Sequence, residues 1–140
     1  NGHIVIVGYG RVGRRIAGAL DQQGIPHVVI EHGRDTVQQL RDRGVAAVSG
    51  DAAETEVLTQ AHITSASMLV LATKDTIDAG KIIKAARRLN PTIHTVLRSH
   101  NEEEARLFEQ QGMGTVFIGE QELAEGMSRH ILARFAVSAA

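Results

Sequence analysis

The sequence predicts an α/β fold, a doubly wound parallel sheet of six strands in the order 3-2-1-4-5-6. Short apolar segments alternate with helical patterns along the chain, which is typical of strand–helix–strand units with right-handed crossovers. The first apolar run is followed at once by Gly8-x-Gly10-x-x-Gly13, and Glu31 closes the second run eighteen residues after Gly13. Together these features predict a Rossmann-like nucleotide site.

Six segments have the short, apolar and mostly β-branched character of buried parallel strands. They are His3–Val7, His27–Ile30, Ala46–Ser49, Met68–Ala72, Ile93–Arg98 and Thr115–Ile118.

Six helical patterns alternate with these strands. Gly24, Gly44 and Gly112 follow three of them, as helix-terminating glycines commonly do, and Pro91 ends a fourth. Asn101 before three glutamates predicts an N-cap and an acidic first turn. The predicted helices are Arg11–Gln23, Asp35–Arg43, Glu54–Ala61, Thr76–Asn90, Asn101–Gln111 and Gln121–Phe135.

The three glycines of the first loop have different roles in such a motif. Gly8 lets the chain turn sharply off the strand, Gly10 lets a phosphate approach the backbone, and Gly13 lets the helix pack close to the strand. The free amides and positive dipole end of the helix would face the phosphates.

We expect Glu31 to accept hydrogen bonds from the ribose hydroxyls of the ligand. Its carboxylate would also repel a 2′-phosphate, which favours NAD, AMP, ADP or ATP over NADP. His32 and Arg34 follow directly and reduce that discrimination.

The predicted topology brings the carboxyl ends of the strands to one edge, where ligands bind at the switch point between the first and fourth strands. The residues expected there are Gly8–Gly13, which include Tyr9, then Glu31 with His32, Gly50–Ala52, Thr73–Asp75, Arg98–His100 and Gly119–Glu120.

Composition excludes several other classes of protein. The 140 residues suffice for one domain with a real core. With 15 Lys and Arg against 16 Asp and Glu, no basic excess indicates nucleic-acid binding. The absence of cysteine removes thiolate chemistry. The histidines show neither an i, i+4 pair nor a joint spacing with acids, so no metal site is predicted.

These residues resemble the regulatory nucleotide-binding domains of potassium transporters and channels, called RCK, KTN or TrkA-N domains. The motifs that carry the resemblance are Val7–Gly13, Val29–Glu31, Val48–Ala52 and Leu71–Thr73. Within the family the chain is similar to the C-terminal domain of Kef-type potassium/proton antiporters, especially the YbaL-like branch. That narrower similarity lies in Pro26–Glu31, Leu40–Val45 and Gly119–Ala124.

The resemblance implies a role for each matching residue. Glu31 holds the ribose, Asp51 and Ala52 flank the adenine, and Thr73 and Lys74 border the ribose and phosphates. The phosphates are held by Gly8, Gly10, Arg11, Val12 and Gly13, with Arg98 as a further phosphate contact.

The resemblance also implies a regulatory domain rather than an enzyme, with no catalytic residue. Residues 1–140 would be a single RCK N-terminal (TrkA-N) domain excised from a larger membrane transporter. It would lie at the cytoplasmic face of the inner membrane, bind an adenine nucleotide (AMP or NAD(H), with ATP or ADP possible), and gate the membrane-embedded potassium/proton antiporter of the same chain.

Two questions stay open at this point. An apolar stripe of the last helix, formed by Leu123, Met127, Ile131 and Phe135, predicts either packing against its own sheet or a homodimer, which the resemblance favours. The alternative function is the nucleotide-binding half of an NAD-dependent oxidoreductase, since fold alone does not decide function. Against it, the one tyrosine lies in the glycine loop and no histidine–acid pair is evident.

Overall fold

A parallel sheet of six strands forms the centre of the structure, a computed structural model that describes residues 2–135. The strands are β1 Ile4–Val7, β2 His27–Glu31, β3 Ala47–Ser49, β4 Met68–Leu71, β5 His94–Ser99 and β6 Thr115–Ile118. Their order, β3-β2-β1-β4-β5-β6, confirms the predicted doubly wound topology. The carboxyl ends of β1, β2 and β4 are therefore neighbours.

Helices cover both faces of the sheet. They are α1 Arg11–Gln22, α2 Arg34–Asp42, α3 Thr55–Gln60, α4 Ala79–Leu89, α5 Glu102–Gln110 and α6 Gly119–Arg134. α1 and α2 pack on one face, where Ala17 contacts the Ile6 cluster and Leu40 the Val29 cluster. α3 and α4 pack on the other face with the larger part of the core. Burial on both faces explains why the central strands are apolar throughout rather than alternating.

The predicted helix ends differ from the observed ones most clearly at α4. That helix begins at Ala79, three residues later than predicted. The hydroxyl of Thr76 donates to Glu104 Oε2 at 2.7 Å, and the amide of Ile77 donates to Asp75 Oδ1 at 2.9 Å. These side-chain bonds compete with a helical turn and keep Thr76–Asp78 out of the helix. A short 3₁₀ turn at Ile63–Ser65, after His62 in the left-handed region, was not predicted.

α6 follows β6 without a connecting loop. Ile118 is both the last residue of β6 and the N-cap of the helix, in an extended conformation. Gly119 and Glu120 therefore form the first helical turn, and neither lines the clefts at the strand ends described below. Their predicted place in the crevice is wrong because β6 is the edge strand, two positions away from β4, where the clefts lie.

The apolar stripe of α6 is not covered by the sheet of its own chain. Leu123, Met127, Ile131 and Phe135 are 65%, 58%, 51% and 74% exposed. The prediction that this stripe packs against its own sheet is wrong, and α6 buries no residue at all. Across residues 2–135, no helix combines the length and apolar character needed to cross a bilayer.

Substitutions at two glycines of α1 can show how closely this helix must approach β1. A Cβ on Gly13 would overlap the carbonyl oxygen of Gly8, whereas a Cβ on the exposed Gly18 would have no neighbour within 4 Å. We expect Gly13→Ala to lower the free energy of unfolding by at least ~2 kcal/mol through overpacking. Gly18→Ala should raise it by about 0.5–1 kcal/mol through helix propensity. Urea unfolding of both variants measures the difference, and equal effects would contradict the close approach.

Candidate functional site

The loop between β1 and α1 passes closely between the ends of β2 and β4. Gly8 has φ +98°, and a Cβ there would lie 3.0 Å from the backbone nitrogen of Thr73. Its own amide donates to the carbonyl of Ile30 at 2.9 Å. Only glycine combines this conformation with this proximity. Gly8 therefore fixes the point at which the ends of three strands meet.

The N-terminus of α1 opens onto the space beyond this loop. Gly10 is the N-cap residue and supplies no side-chain hydrogen bond. The first intrahelical bond runs from the amide of Arg14 to the carbonyl of Gly10 at 2.9 Å, so the amides of Arg11–Gly13 have no helical partner. No described atom lies within 4 Å of a Cβ built on Gly10. Packing within the chain thus does not require this glycine, whereas close approach of a ligand would.

The charge at this helix end is also unusual for a protein helix. The first turn of α1 contains no acid but carries Arg11, with Arg14 just beyond it. Cations at a helix N-terminus oppose the helix dipole, while an anion there is stabilised. By contrast, α5 begins with Glu102–Glu104, and the side chain of Asn101 accepts the amide of Glu104 at 2.8 Å, as predicted. The start of α1 therefore combines free amides with nearby cations, a charge distribution that an anion would stabilise.

Glu31 connects the glycine loop to the segment after β2. Its Oε1 accepts the backbone amide of Tyr9 at 3.0 Å, and its Oε2 accepts the backbone amide of Gly33 at 3.1 Å. Each carboxylate oxygen can accept more than one hydrogen bond. Both oxygens can therefore still receive ligand hydroxyls while they hold the two loops in place.

Two clefts meet at Gly8, Glu31 and Thr73. The first, here called the acidic cleft, has a volume of about 130 Å³ and apolar walls that include Ile30 and Ala52. Four carboxylates line it, those of Glu31, Asp51, Asp75 and Asp78.

The second, here called the basic cleft, has a volume of about 600 Å³ and lies against the N-terminus of α1. Three cations line it, Arg11, Lys74 and Arg98, with Glu31 as its single acid. Arg98 is oriented by a bond from Nη1 to the carbonyl of Ala72 at 3.1 Å. The site is therefore polarised, with negative charge on one side of Glu31 and positive charge on the other.

The structure brings most of the sequence-predicted residues to these two clefts. Gly13 is buried against Gly8 and lines neither cleft. The other predicted residues that line neither cleft are Ser99, His100, Gly119 and Glu120. The acidic cleft is lined by Glu31, His32, Asp51, Ala52 and Thr73. The basic cleft is lined by Gly8, Tyr9, Gly10, Arg11, Val12, Glu31, Thr73, Lys74 and Arg98.

Sequence reasoning missed Asp78 and Ile82, which also line the acidic cleft. The predicted start of α4 at Thr76 placed Asp78 inside a helix, whereas Ile82 lines the cleft from within α4 itself. The sequence signal that could have identified them is the Asp75–Asp78 spacing directly after Thr73 at the end of β4. Within residues 2–135, no group of three His, Asp or Glu side chains is arranged to hold a metal ion.

The segment Thr73–Asp78, here called the β4–α4 segment, is held by Glu104. Oε1 of this carboxylate lies 2.8 Å from the backbone nitrogen of His100 and 3.0 Å from Ser99 Oγ, and Oε2 accepts the hydroxyl of Thr76. Burial acts to raise the pKa of Glu104. The hydrogen bonds from His100, Thr76 and Ser99, together with the charge on the His100 imidazole, bring this pKa below its ordinary value of 4.5.

Comparisons with known proteins identify relatives of the chain. The TrkA-N domain family matches residues 4–119. An Escherichia coli (strain K12) protein named as the cation/proton antiporter YbaL is 41% identical over 125 residues, which cover 89% of this chain and 22% of that protein. The crystal structure of the TrkA-N domain of E. coli inner membrane protein YbaL matches with a TM-score of 0.85 and 40% identity, covering 91% of this chain and 95% of that chain.

Two more distant structures share the fold. The Kef C-terminal domain of Shewanella denitrificans, solved in AMP-bound form, has a TM-score of 0.80 and 23% identity, and the match covers 98% of this chain and 83% of that one. The GsuK channel bound to NAD has a TM-score of 0.72 and 20% identity, and the match covers 83% of this chain and 21% of that one. The chain thus spans about a fifth of the length of YbaL and of GsuK.

The hydrogen bonds of Glu104 predict a pH-dependent contribution to stability. Because its pKa is lowered in the folded state, the stabilisation is complete above the unfolded value near 4.5 and is lost as pH falls through the folded value. We expect Glu104→Gln to lower the free energy of unfolding by about 1 kcal/mol at pH 7. That difference should disappear toward pH 3 in urea unfolding measured at several pH values.

Glu103→Gln is the matched control, because Glu103 is the exposed neighbour on the same helical turn. It should change stability by less than ~0.5 kcal/mol at pH 7, as surface substitutions do. A Glu104→Gln difference that stays constant with pH would contradict the assignment.

Proposed function

Because the chain belongs to the TrkA-N domain family, we propose that it binds an adenine nucleotide and regulates a membrane transporter. AMP and NAD(H) are the preferred ligands, and ADP and ATP fit the same site. We assign the chain no catalytic step.

The observation that carries the proposal is the opposite charge of the two clefts that meet at Glu31. A nucleotide has an anionic phosphate end and an uncharged base joined by a ribose. The basic cleft suits the phosphate end, since Arg11, Lys74 and Arg98 surround the free amides of α1. The acidic cleft would repel phosphate but accept a planar base between apolar walls. The ribose between them lies against the carboxylate of Glu31.

Each residue role in the proposal follows from this orientation. Glu31 accepts the ribose hydroxyls, and its charge opposes the 2′-phosphate of NADP. Asp51 and Ala52 border the base, beside His32. Asp51 is held by its Oδ1, which accepts the amide of Ala53 at 2.9 Å. Thr73 borders the ribose, and Tyr9 supplies the amide that orients Glu31. The phosphates are contacted by Gly8, Gly10, Arg11, Val12, Lys74 and Arg98, while Gly13 acts through the packing of α1.

The regulatory part of the proposal rests on the relatives. YbaL is named as a cation/proton antiporter, and its solved TrkA-N domain covers nearly the same stretch as this chain. We propose that residues 1–140 are the regulatory domain of an antiporter of this type, at the cytoplasmic face of the inner membrane. Ligands with different affinities for two domain arrangements would shift the population between those arrangements and so gate transport.

The proposal includes a homodimer formed through α6. In the single chain its stripe of Leu123, Met127, Ile131 and Phe135 is exposed, and Phe117 of β6 is 44% exposed nearby in the sequence. An exposed apolar stripe of this length is typical of a surface that is covered by a partner. A second copy of the chain could cover it symmetrically.

Thermal unfolding with a panel of nucleotides tests the ligand class. We expect AMP and NAD(H) at about 100 times Kd to add ~2.7 kcal/mol of stability and to raise Tm by roughly 5–10 °C, while NADP gives a smaller shift. Gly10→Val is the blocked control, because its side chain would fill the space beside the free amides of α1. No shift with any nucleotide, or an unchanged shift in Gly10→Val, would contradict the proposed site.

Replacing Glu31 tests the ribose contact. Glu31→Ala should weaken AMP binding by ~1–3 kcal/mol, about fivefold to 150-fold in Kd, because charged hydrogen bonds are lost. Isothermal titration calorimetry well below Tm separates this effect from any loss of stability. Glu103→Ala removes the same charge from an exposed position outside both clefts and should bind AMP as the parent does. If the parent chain, Glu31→Ala and Glu103→Ala bind AMP with equal Kd, Glu31 does not contact the ribose.

Substitutions on α6 test the dimer. Met127→Lys combined with Ile131→Lys should convert a dimer into a monomer, because each subunit would bury two charges at the interface. Size-exclusion chromatography with light scattering measures the change. The control is Glu125→Lys with Arg129→Lys, which leaves the stripe unchanged. A parent chain that is monomeric at all concentrations would contradict this part of the proposal.

A further inference from the structure

The β4–α4 segment supplies residues to both clefts but belongs to no helix or strand. Thr73 lines both clefts, Lys74 lines the basic cleft, and Asp75 and Asp78 line the acidic cleft. Within the segment, the amide of Asp75 donates to Thr73 Oγ1 at 3.2 Å and the amide of Ile77 donates to Asp75 Oδ1 at 2.9 Å. These local bonds shape the turn but do not tie it to the rest of the fold.

Two bonds tie the segment to the first turn of α5 and to the turn that precedes it. The hydroxyl of Thr76 donates to Glu104 Oε2 at 2.7 Å, and Nε2 of His100 donates to the carbonyl of Lys74 at 2.8 Å. Thr76 and Glu104 are 28 positions apart in the chain, and His100 and Lys74 are 26 positions apart. The segment is thus anchored by side chains on both sides of Asp75.

Glu104 is the common element of this anchor. Its Oε1 accepts the backbone amide of His100 at 2.8 Å. Its own backbone amide is fixed by Asn101 Oδ1 at 2.8 Å. The carboxylate therefore holds Thr76 directly and orients the turn that carries His100. Neither Glu104 nor Thr76 lines either of the two clefts.

We infer that Glu104 is a positioning residue for nucleotide binding, which acts through Thr76 to hold Lys74 and Asp75 at the two clefts. This inference rests on the proposed function. Without the anchor, the segment must be ordered when the ligand binds, and that ordering reduces affinity. The two bonds that hold the segment in the structure would supply that order before the ligand binds.

Thr76→Val tests the inference with little change in shape, since only the hydroxyl that reaches Glu104 is replaced. We expect AMP to bind about tenfold more weakly by isothermal titration calorimetry, the effect of one hydrogen bond to a charged acceptor. Thr76→Ser keeps the hydroxyl and should bind AMP within about twofold of the parent chain. Glu104→Ala should weaken AMP binding at least as much as Thr76→Val does, because it also removes the bond to the His100 amide. The double variant should bind AMP no more weakly than Glu104→Ala alone, because the bond between Thr76 and Glu104 is already absent in Glu104→Ala.

Hydrogen exchange of the ligand-free chain gives a second, independent measurement. The amides of Asp75 and Ile77 should exchange faster in Thr76→Val and at the parent rate in Thr76→Ser, while the amides of β4 are unchanged. Unchanged exchange in Thr76→Val would overturn the anchor. Faster exchange with unchanged AMP affinity would overturn the positioning role.

The two measurements also separate this inference from the proposed function. If the parent chain binds no nucleotide, the proposed function and the positioning role both fail, whereas the exchange rates still decide whether the anchor exists. If the parent chain binds AMP and Thr76→Val binds it equally well, the proposed function stands and the positioning role fails.

Discussion

The site depends on two glycines, Gly8 and Gly13, at the points where the β1–α1 loop and the start of α1 pass closest to the sheet. A Cβ on Gly13 would overlap the carbonyl oxygen of Gly8, and a Cβ on Gly8 would crowd the backbone of Thr73 from a left-handed conformation that disfavours side chains. This double contact brings the N-terminus of α1 directly over the ends of β1 and β4. Its free amides can face a ligand only because the helix is this close.

The two clefts beside the glycine loop carry opposite charge, so the site has a positive side and a negative side. Lys74 and Arg98 face the same cleft as the start of α1, whereas Asp51 and Asp78 face the other. Glu31 lies between the two groups and is itself held by backbone amides. A ligand with one anionic end has a single favourable orientation across such a boundary, because the reverse orientation would place its charge among carboxylates. Orientation therefore follows from electrostatics as much as from shape.

Two parts of the chain, the β4–α4 segment and α6, have arrangements that the sequence pattern left open or predicted differently. The β4–α4 segment leaves the helical path because Thr76 bonds to Glu104. α6 leaves the body of the domain because it starts directly at the end of β6, and its apolar stripe stays exposed. One is tied by a few hydrogen bonds and the other by few contacts with its own sheet. The central strands differ from both, because their side chains are buried on both faces of the sheet.

The sequence by itself determined the topology and the position of the glycine loop. Apolar β-branched runs, helix-ending glycines such as Gly24 and the N-cap at Asn101 are local patterns, and their physical causes act between near neighbours. The strand order then brought Glu31 and Thr73 to one edge. Tertiary structure alone decided that Asp78 and Ile82 face the acidic cleft, that Glu104 holds Thr76 across 28 positions, and that α6 stays uncovered. In each case a local preference for helix or strand competes with contacts from a segment far away in the chain. A short stretch of sequence shows the local preference but not the distant contact.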